Sequence, residues 1–141
     1  MTAGKLIHSI DNIQGTINSI SFHPTEFLMA VSSTDGFIKV FDLQSFECIS
    51  TSQKINNPKL ANFSQDGTLV YMATSDSFKT FSWEPWTSVN SVDAFWQNID
   101  DFYVFEKEKR VVGVSKDSNL VGVWMIDLAV SDLILMILGT I

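Results

Sequence analysis

Apolar and polar residues alternate along Ile17–Phe22, the pattern of a strand with one apolar face. A turn over residues 23–25 follows, and a second apolar run occupies residues 27–31. The same arrangement returns 41 residues later, in residues 60–63 and 69–73. Because the apolar residues of this repeat lack the 3.6-residue spacing of a helix, we predict a chain of antiparallel strands.

Three short polar turns carry the same repeat. Residues 33–36, 74–77 and 115–118 each contain one aspartate, and these aspartates lie 41 residues apart. Short side-chain oxygens accept hydrogen bonds from turn amides, so we predict that these residues support the turns. The predicted turn residues are Ser33, Asp35, Thr74, Asp76, Ser115 and Asp117.

Further strands complete the predicted repeat. In the third unit the second strand covers residues 111–114. The third strands of the three units cover residues 37–43, 78–83 and 120–128. Outer strands follow in the first two units, over residues 46–51 and 89–94. A repeat of about 40 to 45 residues with four strands is the size of a propeller blade. We therefore predict an all-β fold with three such units, at about residues 11–52, 53–94 and 95–128.

Three blades are too few for a closed ring, because propellers have about four to eight. The chain is then either a piece of a longer propeller or a part that another copy or another protein completes. The segment of residues 5–10 reads as the outer strand of a preceding blade, which favours the longer array. Residues 129–141 form an apolar tail of unknown role.

The segment of residues 34–43 resembles the end of a WD40 repeat, with Phe41-Asp42 where that family usually has Trp-Asp. The resemblance implies a WD40 β-propeller fragment of about three four-stranded blades, spanning residues 5–128. Asn12-Ile13 stands where the family's repeats often have Gly-His. The His-centred hydrogen-bond network of the family is therefore incomplete, and we expect the blades to depend on the aromatic residues Phe41, Phe81, Trp83 and Trp124.

Longer strings are similar to the last blades of the WD40 domain in katanin's larger, non-catalytic subunit. They are residues 76–85, 91–96 and 119–128, and residues 17–43 are similar to the blade before them. The resemblance implies that the partners are katanin's catalytic AAA ATPase subunit and microtubules, and that the protein helps to target this ATPase and to regulate microtubule severing. It also implies a cytoplasmic, cytoskeletal location at microtubules, spindle poles or the centrosome. In that family a helical domain after the propeller holds the ATPase, and this sequence contains no counterpart of that domain.

Composition and charge narrow the classes of partner. The sequence is 45% hydrophobic and carries a net charge of −7, which favours a packed domain and argues against binding nucleic acid or an anionic membrane. The apolar run of residues 133–138 is too short to span a bilayer, which needs about 20 apolar residues. Cys48 is the only cysteine, so no disulfide forms within the chain and a reducing compartment fits best. Because microtubule surfaces are also acidic, we expect the chain alone to bind microtubules weakly, if at all.

The sequence shows no pattern of catalytic or metal-binding residues, so we predict that the protein is not an enzyme and has no cofactor site or metal site. Asp100 and Asp101 are adjacent and point to opposite faces of a strand, and Glu106 and Glu108 lie in a turn where we expect solvated charges. His8 and His23 do not form a zinc-binding spacing with Cys48, and His23 is predicted to be an ordinary turn residue.

Protein binding is the function that we predict, because the sequence argues against catalysis and against binding nucleic acid or an anionic membrane. Loops on a rigid propeller are where recognition concentrates. In WD40 proteins the residue before the turn aspartate faces one rim of the disc, and the resemblance therefore implies Thr34, Ser75 and Lys116 as candidate partner contacts. The alternative function is that of a WD40 adaptor or substrate receptor in another multiprotein complex.

Overall fold

Three four-stranded antiparallel sheets make up the computed structural model, which describes residues 3–96, 98–129 and 136–137. Blade 1 contains β1 (Ile17–Phe22), β2 (Leu28–Ser33), β3 (Ile38–Asp42) and β4 (Cys48–Thr51); blade 2 contains β5 (Pro58–Phe63), β6 (Leu69–Thr74), β7 (Ser77–Trp83) and β8 (Trp86–Asp93); blade 3 contains β9 (Asp101–Phe105), β10 (Arg110–Asp117), β11 (Leu120–Asp127) and β12 (Met136–Ile137). In each blade the strands pair in chain order. The predicted all-β fold of three four-stranded blades is confirmed. Within the described ranges, no helix is long and apolar enough to cross a membrane.

The prediction of a strand over residues 5–10 is wrong, since residues 3–16 contain no strand. A strand needs a hydrogen-bonded neighbour, and none of the three sheets pairs with this segment. The segment instead lies against blade 1, where the His8 ring stacks on Phe46 at a centroid distance of 4.4 Å. The Lys39 ammonium also donates to the Asn12 carbonyl at 3.1 Å.

The 41-residue period holds in the first two strands of each blade and fails in the third strand. Residues 29, 70 and 111 are one period apart, and they pair with Phe41, Phe81 and Ile126 respectively. Ile126, and not Trp124, therefore takes the position of Phe41 in blade 3. The hairpin between β10 and β11 is built differently from the other two, and this moves Ile126 into the equivalent position.

Blades 1 and 2 pack through an apolar core and a set of hydroxyl contacts. The core contains Leu28, Ala30, Ile38, Val40, Ile55, Ala61, Val70, Met72, Phe81 and Trp83. Ser19 and Ser21 of β1 point towards β5, where their hydroxyls accept hydrogen bonds from the amides of Ala61 at 2.8 Å and Phe63 at 3.2 Å. The polar side of the alternation in β1 thus faces blade 2, whereas Ile20 and Phe22 face away from it.

Blades 2 and 3 pack around Trp96, which lies in the connection between them. Its side chain is fully buried, and its indole nitrogen donates to the Thr74 carbonyl at 2.9 Å. A Cβ at Gly113 would lie 3.0 Å from the Trp96 ring, so this glycine allows the ring to pack on β10. The rest of this core includes Tyr71, Ala73, Phe78, Val92, Ile99, Phe102, Val104, Val111 and Ile126.

Only a small part of the predicted apolar tail lies among the described residues. Met136 and Ile137 form β12, which pairs with Ile126 and Met125 of β11. This pairing makes β12 the fourth strand of blade 3.

Candidate protein-interaction surface

The turn between β2 and β3 is held by Asp35. Its Oδ1 accepts hydrogen bonds from the Ser33 hydroxyl and from the Phe37 amide, the latter at 3.2 Å. The Gly36 amide donates to the Ser33 carbonyl at 3.1 Å, and Gly36 has a φ of 97°, which glycine adopts at little cost. Ser33 is buried, so these bonds satisfy polar groups that water does not reach.

The turn between β6 and β7 uses the same residue types in a shorter loop. The Thr74 hydroxyl lies 3.2 Å from Asp76 Oδ1 and 2.6 Å from the Ser77 hydroxyl. The Asp76 carbonyl accepts a hydrogen bond from the Ala94 amide at 2.9 Å, which ties the turn to the connection that leaves β8.

The hairpin between β10 and β11 differs from the predicted turn. Ser115 and Asp117 lie within β10, and Asp117 pairs with Leu120. The loop is reduced to Ser118, with a φ of 55°, and Asn119. Such a two-residue loop allows the ladder to continue to Asp117, so Ser115 and Asp117 extend the strand instead of supporting a turn. The Ser115 hydroxyl accepts a hydrogen bond from the Trp124 indole at 3.3 Å.

The three candidate contact residues lie on one rim, beside the starts of the first strands. The Thr34 amide donates to the Thr16 carbonyl at 2.9 Å and the Ser75 amide to the Asn57 carbonyl at 3.2 Å. The Lys116 amide donates to Oδ2 of Asp100 at 2.7 Å. Thr34 and Lys116 are exposed and Ser75 is half-buried. The Thr34 hydroxyl also accepts a hydrogen bond from the Thr16 amide at 2.8 Å, so part of its capacity is used within the blade.

A groove of about 390 Å³ opens on this rim at blade 3. Its walls are Phe95, Asn98, Ser115, Lys116, Asp117 and Trp124. Phe95 is exposed, and Lys116 and Asp117 bring both signs of charge beside the two aromatic rings. This mixture suits an apolar side chain of a partner that is flanked by polar groups. The sequence reasoning missed Phe95, although the adjacent Phe95-Trp96 pair directly after an outer strand was the available signal.

At the opposite ends of the strands, His23 joins blade 1 to blade 2. Its Nδ1 accepts hydrogen bonds from the amides of Thr25 at 3.2 Å and Glu26 at 3.0 Å, which leaves Nε2 as the ring donor. Nε2 lies 3.2 Å from the Gly67 carbonyl, which also accepts a hydrogen bond from the Trp83 indole at 2.8 Å. His23 therefore supports the turn as predicted, and its ring also bridges two blades, which was not predicted.

Glu106 makes the corresponding link between blades 2 and 3. Its Oε1 accepts hydrogen bonds from the Tyr71 hydroxyl at 2.8 Å and from the Gln65 amide at 3.2 Å. Burial and this hydrogen bond to Glu106 raise the pKa of Tyr71 above its usual value. Glu106 is half-buried, so the expectation of a solvated charge is wrong for this residue.

Asp66 holds the turn between β5 and β6. Its Oδ1 accepts hydrogen bonds from the Thr68 amide at 3.0 Å, the Ser64 hydroxyl at 2.7 Å and the Thr68 hydroxyl at 2.8 Å. These bonds, the one from the Thr68 amide first, lower the pKa of Asp66 to about 2. In the part of the chain that the structure describes, no group of three or more His, Cys, Asp or Glu side chains is arranged to hold a metal ion. The site thus offers hydrogen bonds, charge and apolar contacts, which are the means of binding a protein.

Family comparisons agree with this class of protein. Residues 4–42, which end at the last residue of β3, match the family model described as WD domain, G-beta repeat. A hydrazine synthase of Kuenenia stuttgartiensis shares the fold, with a TM-score of 0.67 over 86% of this chain and 37% of that chain, at 18% identity. Residues 4–42 thus resemble a WD40 repeat, and the three four-stranded sheets have the fold of propeller blades.

Curated relatives match about half of this chain. The Arabidopsis thaliana katanin p80 WD40 repeat-containing subunit B1 homologs KTN80.3 and KTN80.1 are 40% identical over 67 residues and 36% identical over 64 residues. The GATOR2 complex protein WDR24 of Danio rerio is 35% identical over 71 residues. These matches cover 48%, 45% and 49% of this chain and span only 8%, 6% and 9% of the respective relatives.

Proposed function

We propose that this protein is a non-catalytic WD40 scaffold of the katanin type, which helps to target katanin's catalytic AAA ATPase and to regulate microtubule severing. The observation that carries this proposal is the 40% identity to the katanin p80 homolog KTN80.3 over 67 residues. We further propose that the protein acts in the cytoplasm on the microtubule cytoskeleton, at spindle poles or the centrosome.

The rim that carries Thr34, Ser75 and Lys116 is the surface we assign to the partner. The three residues lie beside the starts of the first strands of neighbouring blades, so a partner that crosses the rim meets them in succession. The groove beside Lys116 adds two aromatic rings, and aromatic side chains are enriched at the centres of protein interfaces.

Affinity purification tests this proposal. The protein is tagged at its own locus, isolated from the cells that make it and analysed by quantitative mass spectrometry. We expect enrichment of the katanin AAA ATPase with the wild-type protein and reduced enrichment with Lys116→Glu, which reverses the charge beside the groove. As a matched control, Lys107→Glu makes the same charge change in the exposed turn between β9 and β10 and should leave enrichment unchanged. Consistent absence of the ATPase would refute the katanin-type function.

A second candidate function is that of a WD40 adaptor in another complex. The 35% identity to the GATOR2 complex protein WDR24 over 71 residues favours it. The same purification separates the two, because recovery of GATOR2 components without the katanin ATPase would support the adaptor.

A further inference from the structure

A cleft of about 230 Å³ lies between blades 2 and 3, beside their first strands β5 and β9. The equivalent place between blades 1 and 2 is bridged, because the hydroxyls of Ser19 and Ser21 on β1 accept hydrogen bonds from amides of β5. One period later these positions hold Leu60 and Asn62. The amide of Phe102 on β9 donates to the carboxylate of the preceding residue at 2.9 Å, and not to a hydroxyl of β5. The serine bridges are thus not repeated where the cleft lies.

The cleft has apolar walls and one polar end. Tyr71, Phe102 and Val104 line it, and all three belong to the buried core between blades 2 and 3. Gln65 and Glu106 lie in turns at one end of these blades and also line the cleft. Among the described residues that line it, none is positively charged. The carboxylate of Glu106 therefore gives the cleft a net negative charge.

Glu106 keeps one carboxylate oxygen for a ligand. Its Oε1 accepts the hydrogen bonds from both the Tyr71 hydroxyl, at 2.8 Å, and the Gln65 amide, at 3.2 Å. Each carboxylate oxygen has about two lone pairs, so these two bonds occupy Oε1 and leave Oε2 to accept from a ligand. Burial first, and then Glu106 and Asp66, raise the pKa of Tyr71 above its usual value, so the charge of Asp66 also reaches this end of the cleft.

We propose that this cleft binds a lysine side chain presented by a partner protein. The aliphatic stem lies against the walls formed by Tyr71, Phe102 and Val104, and the ammonium donates to Oε2 of Glu106. An aromatic ring within about 6 Å also attracts an ammonium. Lysine fits better than arginine, because a guanidinium pairs best with both oxygens of a carboxylate and Oε1 is already occupied. The site goes beyond the function proposed above and does not depend on the katanin ATPase.

Nuclear magnetic resonance titration of the isotope-labelled chain with Nα-acetyl-lysine methylamide is the first test. We expect saturable shifts of the Phe102 and Val104 backbone amides and of the Asn62 side-chain amide, with a Kd of about 1 mM, which suits a ligand of this size. The norleucine analogue has the same stem without the ammonium, and the arginine analogue carries a guanidinium instead. Both are expected to bind at least about 10-fold more weakly. A lack of saturation at these amides, or an analogue that binds as tightly as lysine, would overturn the proposal.

Glu106→Gln separates the charge of this residue from its link between the blades. The glutamine amide keeps an oxygen that accepts from Tyr71 and Gln65, so the link is retained while the charge is lost. We expect the affinity for the lysine amide to fall by about 10-fold or more and the affinity for the norleucine analogue to stay the same. Glu108→Gln is the matched control, because it makes the same change at an exposed position in the same turn and should not alter lysine binding. Lysine binding that Glu106→Gln leaves unchanged would contradict the proposal.

The salt dependence of binding to the wild-type chain tests the same charge pair without a substitution. Raising the salt concentration screens the attraction between an ammonium and a carboxylate, so the affinity for the lysine amide should fall. The affinity for the uncharged norleucine analogue should not fall. This measurement decides the question if Glu106→Gln loses its fold, which far-ultraviolet circular dichroism identifies. An equal response of the two ligands to salt would show that no charge pair forms in the cleft and would refute the assignment of lysine.

Discussion

Gly67 lies at the point where His23 of blade 1 reaches blade 2. It has a φ of 77°, and a Cβ at this position would lie 2.0 Å from Nε2 of His23. The residue therefore needs to be glycine for two independent reasons, the backbone conformation and the space for the ring. The sequence predicted two strands over residues 60–63 and 69–73 on either side of Gly67, but it did not reveal the contact with His23, because the two residues are 44 positions apart and no local pattern joins them.

We expect Gly67→Ala to lower the free energy of unfolding by about 1–3 kcal/mol, since it strains the turn and displaces the His23 ring. Urea denaturation measures this change. Gly4→Ala is the control, because a Cβ at Gly4 meets nothing within 4 Å, and it should change stability by less than about 0.5 kcal/mol. Equal effects of the two variants would contradict this role of Gly67.

The lowered pKa of the Asp66 carboxyl group leads us to expect a specific dependence of stability on pH. Its pKa in the folded chain is about 2, below the usual value of 3.8. Because the unfolded chain binds a proton more readily, the contribution of Asp66 is fully present above about pH 4 and is lost as the pH falls towards 2. Nuclear magnetic resonance titration of the carboxyl group should give a midpoint near 2, and Asp66→Asn should remove this part of the acid dependence. A midpoint near 4 would contradict the hydrogen bonding of this turn.

At the scale of elements, the alternation of residues predicted where the strands lie but not which faces are covered. β1 extends over Ile17–Phe22 as predicted, yet its serines contact blade 2 and its apolar side chains face away. The alternation defines two faces of a strand, whereas the order of the blades decides which face meets a neighbour. The third hairpin departed from the repeat for a related reason, because a two-residue loop at Ser118 and Asn119 adds pairs to the ladder that the equal aspartate spacing does not reveal.

Trp96 is buried between blades 2 and 3, so we expect truncation of its side chain to lower the stability of the protein strongly. Trp96→Ala should destabilise the protein by about 3–5 kcal/mol, because it leaves a cavity and removes the donor to the Thr74 carbonyl. The neighbouring variant Phe95→Ala is the matched control, since Phe95 is 67% exposed and its loss should cost less than about 1 kcal/mol. Thermal unfolding followed by circular dichroism compares the two. Similar melting temperatures would contradict the placement of Trp96 in the core.

At the scale of the whole molecule, a rigid stack of blades presents a rim for binding, and its charge limits what it binds. The net charge of −7 disfavours direct contact with other acidic surfaces, although salt at 0.15 M screens charges beyond about 8 Å. Charge and composition could therefore be used from the sequence alone to narrow the class of partner. The groove at blade 3 could not be predicted in this way, because it joins Phe95 and Asn98 to two strands that only the fold brings beside them.

We therefore expect the purified chain to remain in the supernatant when microtubules are sedimented at physiological salt. Lowering the salt should not increase binding, because repulsion between like charges grows as screening weakens. A parallel run without microtubules controls for aggregation. Tight co-sedimentation at physiological salt would contradict this account of the whole-molecule charge.

The most direct test of the central claim, that three blades pack side by side as one stack, is hydrogen exchange at the tryptophan indoles. Trp83 and Trp96 donate from buried indoles to the carbonyls of Gly67 and Thr74, and Trp86 and Trp124 are only half-buried. We expect the indoles of Trp83 and Trp96 to exchange much more slowly than those of Trp86 and Trp124. Fast exchange at Trp96 would contradict the stacking of blade 3 on blade 2.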